Sequence, residues 1–182
     1  LENIELAASL GVKGAIIFTA GFAESGEAGK QLQQRIAGAA KSSGMRILGP
    51  NCLGIVNTLN RFYCTYTPMF GKSDIGKNTI PVKAAVLSQS GSVGASILVN
   101  MMEHGINVSY WICTGNESEA DYSDWLHFLA EDENIEYIVG YIEGIKDGDG
   151  FIRALHKLSE KGKYFVTLKV GRTDEGRKAV FS

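Results

Sequence analysis

Several things are scarce in this 182-residue sequence, and each scarcity excludes a class of function. No sign of charge dominates: 18 Lys and Arg stand against 20 Asp and Glu, for a net charge of −2. Neither nucleic acid nor an anionic membrane is therefore favoured as a partner. No apolar run approaches the roughly 20 residues a membrane-spanning helix requires, and no signal peptide is visible at the start. Cysteine is rare: Cys52, Cys64 and Cys113 are odd in number and widely spaced, with no CxxC pair and no histidine close enough for a zinc knuckle. They read as free thiols in a reducing compartment, so a cytoplasmic setting and no metal site are expected. There is no Walker A motif and no GxGxxG after a strand, which removes the standard nucleotide and dinucleotide signatures. The only histidines, His104, His127 and His156, fall in a last helical turn or on polar helix faces. None occupies a strand-end loop. Ser90 lacks both the GxSxG elbow and a placed histidine, which argues against a serine hydrolase.

What is present is an alternation of short apolar runs with amphipathic segments, and a hydrophobic content of 45%, ordinary for a globular protein. Residues 14–19 read as a buried strand. A helix over 27–43 follows, with an apolar stripe of Ala28, Leu32, Ile36, Ala39 and Ala40, and Gly44 in the left-handed position after it. Arg46 to Leu48 form a short strand leading into a turn-rich loop over 49–54. The rhythm breaks between Asn57 and Pro81, with a short strand at 62–66 and a linker over 71–81, rich in glycine and charge. Beyond it the pattern predicts strand 83–88, helix 91–104, strand 107–113, helix 121–131, strand 136–142, helix 149–161, strand 164–169 and a last helix from about Thr173. In the helices, Val93, Ile97, Leu98, Met101 and Met102, then Tyr122, Trp125, Leu126 and Leu129, then Phe151, Ile152, Leu155 and Leu158 mark the inward faces. Such alternation with short loops predicts an α/β fold of parallel, doubly wound sheets covered on both faces.

In an open parallel sheet, ligands bind beyond the carboxyl ends of the strands. The polar groups expected there are Ser88 to Ser92, Gly115-Asn116-Glu117, Glu143, and Lys169 with Arg172. At 88–94 an apolar strand stops at a Ser/Gly turn and a helix begins at once. That geometry aims free N–H groups and the positive end of a helix dipole at one spot, an anion site suited to phosphate. Glu143 ends an apolar strand, where a carboxylate is costly without a partner or a task.

Two segments, Arg46-Ile47-Leu48-Gly49-Pro50-Asn51-Cys52-Leu53-Gly54 and Ser88-Gln89-Ser90-Gly91-Ser92-Val93-Gly94, resemble the NDP-forming acyl-CoA synthetase superfamily. That superfamily includes ADP-forming acetyl-CoA synthetase and the α subunit of succinyl-CoA synthetase. Gly115-Asn116-Glu117 and Lys169 to Arg172 are similar to its ADP-forming branch. The resemblance implies that residues 1–70 are the second half of a Rossmann-like CoA-binding domain. It implies that 82–182 form a flavodoxin-like ligase domain, with 71–81 linking the two. It implies a ligase that interconverts acid, CoA and ATP with acyl-CoA, ADP and phosphate through an acyl phosphate and a phosphohistidine. By the same resemblance, Phe18, Thr19, Ala20, Gly21, Pro50 and Asn51 contact CoA. Ser90, Gly91 and Ser92 hold phosphate, and Glu143 steadies the active histidine. ATP, ADP and Mg2+ are implied to bind mainly to an ATP-grasp domain or subunit, within an oligomer.

The sequence opens on Leu1 inside an amphipathic pattern and stops just before the place where the family carries its phosphorylated histidine. It therefore reads as a fragment without synthetase activity of its own. Two alternatives stay open at this level. One is a non-catalytic CoA- or acyl-CoA-binding regulatory module of a protein acetyltransferase. The other is a plain flavodoxin-like binding domain.

Overall fold

The computed structural model describes residues 1–71 and 80–171. The expected linker falls largely outside these residues, and Arg172 and the last expected helix fall wholly outside them. Among the described residues no helix is long and apolar enough to cross a membrane.

The first unit is small. Helix α1 (Glu2–Ser9) precedes strand β1 (Gly14–Ile16); helix α2 (Glu27–Ser43) then leads to strand β2 (Arg46–Leu48), which pairs parallel to β1. Gly44 closes α2 at φ +71, the left-handed position a side chain resists. Ile36 and Ala40 of α2 are buried with Ile17, Met45 and Ile47, and Ile4 and Ala7 of α1 pack against them. Three expectations need correction. Strand β1 stops at Ile16, and residues 17–21 run on as loop. Gly29, not Ala28, is the buried residue of the first turn of α2, because a Cβ there would sit 1.9 Å from the Phe22 carbonyl oxygen. Leu32 is exposed: a sheet of two three-residue strands is too short to cover the whole helix.

The second sheet has six strands: β3 (Gly54–Asn57), β4 (Phe62–Thr65), β5 (Ile80–Ser88), β6 (Ile106–Cys113), β7 (Tyr137–Ile142) and β8 (Tyr164–Lys169), in the order β4-β3-β6-β5-β7-β8. Strands β5 to β8 are parallel, as expected. The sheet as a whole is mixed, because β3 pairs antiparallel with both β6 and β4. The reason is local. Residues 58–61 are a tight connection, and a tight connection can join only antiparallel strands. Strand β3 was not foreseen: four residues, Gly-Ile-Val-Asn, carry no alternation to read. The hairpin it forms lies before the expected linker, yet it extends the larger sheet.

The order β6-β5-β7-β8 is the flavodoxin-like arrangement, in which the chain leaves the first parallel strand to one side and later returns to the other. Right-handed crossovers then put α3 (Gly91–Glu103) on one face and α4 (Tyr122–Glu131) and α5 (Gly148–Glu160) on the opposite one. Leu98 of α3, Leu126 and Leu129 of α4 and Leu158 of α5 are buried against Val86, Leu87, Ile112 and Ile138 of the strands. Ile152 departs from its predicted inward face and is exposed, since it turns away from the Ala154–Leu158 line. Two buried donors pin helices to strands: Tyr122 Oη donates to the Leu87 carbonyl at 3.0 Å, and Trp111 Nε1 donates to the Gly94 carbonyl at 3.0 Å. Gly94 lets α3 lie close on β5, because a Cβ there would sit 2.7 Å from Ser88 Cβ. A Gly94→Val variant is therefore expected to lose about 1–3 kcal/mol of stability through overpacking. Urea unfolding measures this, and an unchanged midpoint would contradict the close packing of α3.

Candidate functional site

Ser90 is the N-cap of α3, in an extended conformation, and its Oγ accepts from Val93 N at 3.4 Å. Ser88 Oγ donates to the Ser90 carbonyl at 2.6 Å, and the Ser90 and Ser92 hydroxyls lie 3.3 Å apart. The turn is thus a stiff ledge of hydroxyls and amides at the positive end of a thirteen-residue helix. Its neighbour is the loop after β2. A Cβ on Gly91 would meet Leu53 Cγ at 2.7 Å, so the two segments touch here and any larger residue would have to displace the Leu53 side chain.

Strand β5 is flanked by β6 and β7, which brings the ends of both beside this ledge. Thr114 N donates to the Ser88 carbonyl at 2.9 Å, and Gln89 N donates to the Tyr141 carbonyl at 3.2 Å. The Gln89 side chain spans the gap. Its Oε1 accepts from Glu143 N at 2.5 Å and Gly144 N at 3.0 Å, while its Nε2 donates to the Gly144 carbonyl at 2.7 Å and to Glu117 Oε1 at 2.9 Å. Glu143 therefore stands on the same rim as Ser90–Ser92. It is half-buried, and burial pushes its carboxyl pKa up against the pull of the Lys169 ammonium. Lys169 Nζ donates to the Glu143 carbonyl oxygen at 2.8 Å.

The most unusual side chain on the rim is Glu117. It adopts φ +55 and is 3% exposed. Oε1 accepts from Gln89 and, at 2.8 Å, from Thr114 Oγ1, whereas the buried Oε2 has no partner. Burial dominates: it pushes the carboxyl up to about 7, although Gln89, Thr114 and the nearby Lys146 ammonium all favour the charged form. Lys146 Nζ donates to the Asn116 and Glu117 carbonyls at 2.6 and 2.7 Å. Sequence reasoning marked the Gly115-Asn116-Glu117 turn as polar but singled out neither Glu117 nor Gln89. Their only signal was position after an apolar strand.

The loops of the first unit reach the same rim. Asn51 N donates to the Thr19 carbonyl at 2.9 Å, which joins the Phe18–Gly21 segment to Pro50 and Asn51. The Gly115 turn presses on this pair. Asn116 N donates to the Pro50 carbonyl at 2.8 Å, and a Cβ on Gly115 would sit 2.3 Å from the same oxygen. Glu24 Oε1 accepts from Gly21 N at 2.5 Å and Phe22 N at 3.1 Å, and its Oε2 accepts from Asn116 Nδ2. Despite partial burial, the hydrogen bonds from Asn116 and these amides hold the Glu24 carboxyl below its usual range. Asn51 Nδ2 donates to Asn116 Oδ1 at 3.2 Å. The Phe18 ring stands edge-on to Tyr66, with centroids 5.4 Å apart.

Among the described residues, Ser90 to Ser92, Glu143, the Phe18–Gly21 segment, Pro50 and Asn51 thus border one rim, and Arg172 lies outside the described residues. Pro50 is buried, whereas Thr19, Ala20, Gly21, Asn51 and Ser92 are exposed. His104, His127 and His156 are exposed; His127 and His156 lie on helices and His104 follows the C-terminus of α3, away from the loops after the parallel strands. Cys52 and Cys113 are buried and all three thiols are free; burial pushes Cys52 up to about 12, which makes it a poor nucleophile. Among the described residues no cluster of three His, Cys, Asp or Glu could hold a metal ion. A groove of about 780 Å³ between Arg46, Trp125 and Arg153 shares none of the rim residues.

The family described as the succinyl-CoA ligase like flavodoxin domain matches residues 81–182. Among curated relatives, the α subunit of acetate–CoA ligase [ADP-forming] II of Pyrococcus furiosus is 38% identical over 94% of this chain and 35% of its own length. The acetate–CoA ligase [ADP-forming] of Methanocaldococcus jannaschii is 40% identical over 94% of this chain and 23% of its own. The chain thus spans about a third or less of the length of these relatives. Among solved structures, the dinucleotide-forming acetyl-coenzyme A synthetase 1 of Ca. Korarchaeum cryptofilum, in complex with phosphate and ADP, superimposes with a TM-score of 0.83. It is 32% identical over 97% of this chain and 36% of that one. An ATP citrate lyase of Methanosaeta concilii, at 17% identity and a TM-score of 0.73, shares the fold.

The raised Glu117 pKa makes a prediction about stability. Its folded value, about 7, lies above the ordinary value of 4.5, so the folded state holds the extra proton. The associated stability is fully present below pH 4.5 and is lost as pH rises through 7. Glu117→Gln removes this titration. The stability of the variant relative to the parent should therefore rise between pH 4.5 and 7, as read from urea midpoints at each pH. A difference that stays flat across this window would contradict a carboxyl titrating there.

Proposed function

This chain belongs to the succinyl-CoA ligase-like flavodoxin-domain family, within the NDP-forming acyl-CoA synthetases, and on that premise we propose that it supplies the CoA- and phosphate-handling rim of such a ligase. The full reaction interconverts acid, CoA and ATP with acyl-CoA, ADP and phosphate. The observation that carries this reading is the shared rim. The α3 N-terminus, the Glu143 turn and the Phe18–Gly21 and Pro50–Asn51 loops all border one surface.

Each part has a chemical task in this proposal. The amides and hydroxyls of Ser90, Gly91 and Ser92 stabilise the charge of a transferring phosphoryl group, which needs fixed donors more than covalent help. Glu143 accepts a hydrogen bond from one ring nitrogen of a histidine. That fixes its tautomer and leaves the other nitrogen free to take phosphorus. Phe18 to Gly21, Pro50 and Asn51 seat CoA, so that its thiol meets the acyl phosphate beside the ledge. ATP, ADP and Mg2+ are assigned to an ATP-grasp domain or subunit, within a larger assembly in the cytoplasm. The ADP and phosphate of the similar Korarchaeum complex support the use of a nucleoside diphosphate and phosphate.

The phosphorylated histidine is assigned to a segment outside this chain, because His104, His127 and His156 are all remote from the rim. The assembled ligase, incubated with γ-labelled ATP and magnesium and then mapped by peptide, should carry acid-labile label on a histidine other than these three. Label on His104, His127 or His156 would overturn the assignment.

A further inference from the structure

Of the side chains at the end of β5, only Gln89 reaches across to β7, and all four of its hydrogen-bonding positions are used. Its carbonyl oxygen takes two consecutive backbone amides, Glu143 N at 2.5 Å and Gly144 N at 3.0 Å. Its amino group gives one bond to the Gly144 carbonyl at 2.7 Å and one to Glu117 Oε1 at 2.9 Å. Two N–H groups held on one oxygen fix the peptide planes on both sides of Glu143, and so the direction in which its side chain leaves the backbone.

We infer that Gln89 is a positioning residue for Glu143, kept in its working orientation by the buried carboxylate of Glu117. The inference rests on the reading of Glu143 as the carboxylate that steadies the phosphorylated histidine. An amide can turn over, and here turning over would be penalised at every contact. The amino group would face two N–H donors, and the carbonyl would face a carbonyl and a carboxylate. Glu117 is the partner that makes this preference strong. Its Oε1 already accepts from Thr114 Oγ1 and its other oxygen is free to carry the proton, so Oε1 stays an acceptor in either protonation state and reads the amino end of Gln89. Its second donor, Thr114 Oγ1 at 2.8 Å, holds Oε1 in place. An amide at 117 could turn with Gln89 and lose that discrimination. A residue 3% exposed with one oxygen unpartnered is otherwise an expensive choice for a loop. Fixing the neighbour's orientation is a task that an oxygen already holding two donors performs.

The test uses the assembled ligase with its ATP-binding partner and the variants Gln89→Ala, Gln89→Glu, Glu117→Gln, the double swap Q89E/E117Q, and Glu143→Gln as reference. Two readouts are taken: hydrogen exchange at the Glu143 and Gly144 amides, and steady-state kinetics with CoA varied. Gln89→Ala is expected to speed exchange at these amides and to lower kcat about tenfold, roughly the worth of one well-placed hydrogen bond, with the KM for CoA unchanged. Gln89→Glu sets two carboxylates against each other and should lose more. The double swap restores a carboxylate–amide pair with reversed polarity and should recover at least part of the Gln89→Glu loss. Glu117→Gln keeps an acceptor for Gln89 and should show a smaller rise in exchange; it carries the test if Gln89→Ala does not fold. Unaltered exchange at Glu143 and Gly144, or a double swap no better than Gln89→Glu, would overturn the brace while an inactive Glu143→Gln leaves the reading of Glu143 standing. A fully active Glu143→Gln would overturn that reading itself, together with the catalytic value of the brace.

Discussion

The arrangement depends on one constraint: strand β5 must be flanked on both edges. Right-handed crossovers carry the chain from β5 through α3 to β6 on one side, and from β6 through α4 to β7 on the other. Three loops, after β5, β6 and β7, are thereby delivered to one end of the sheet. None of the chemistry discussed for Ser90, Glu117 or Glu143 could be shared between them otherwise. Close packing then sets the fine spacing. Gly94 lets α3 lie on β5, and Trp111 bonds its first-turn carbonyl, so the positive end of the helix is held at a fixed height above the strand ends.

The antiparallel hairpin extends this sheet towards the first unit. Strand β3 lies directly against β6, and the loop before it, Gly49 to Leu53, runs between the two units. Its carbonyls accept from Asn116 and Ser118, while Asn51 N reaches the Thr19 carbonyl. The loops proposed to seat CoA are thus braced by the same turn whose next residue, Glu117, orients Gln89. Buried polar connections of this kind are costly when incomplete and rigid when satisfied. Here nearly every group is paired, and Glu117 Oε2 stands out as an exception.

Two carboxyls on one rim are placed in different environments. Glu117 is enclosed and close to neutrality in its titration, whereas Glu143 is half-buried and balanced by Lys169. The difference separates their roles. The enclosed group bonds the protein's own Gln89 and Thr114, whereas the accessible one is the carboxylate proposed to meet a histidine.

Residue order alone determined the alternation of elements. Helix α2, strand β2 and strand β8 fall where apolar spacing and the glycine stops place them, because local sterics and burial periodicity are written into consecutive residues. It also determined that polar turns follow the parallel strands, which pointed to Ser90–Ser92 and Glu143. Strand β3 escaped because four residues have no period, Leu32 because exposure depends on what a neighbouring element is long enough to cover, and Ile152 because packing decides which stripe of a helix faces the sheet. Gln89 and Glu117 escaped for a deeper reason. Their partners lie 54 and 28 positions apart along the chain, and an amide spanning two strands acquires meaning only when the sheet has set those strands side by side. Which turns exist is a matter of local sequence; which of them meet, and which side chain is sealed between them, was decided by the tertiary fold, because strand pairing and burial are relations between distant residues.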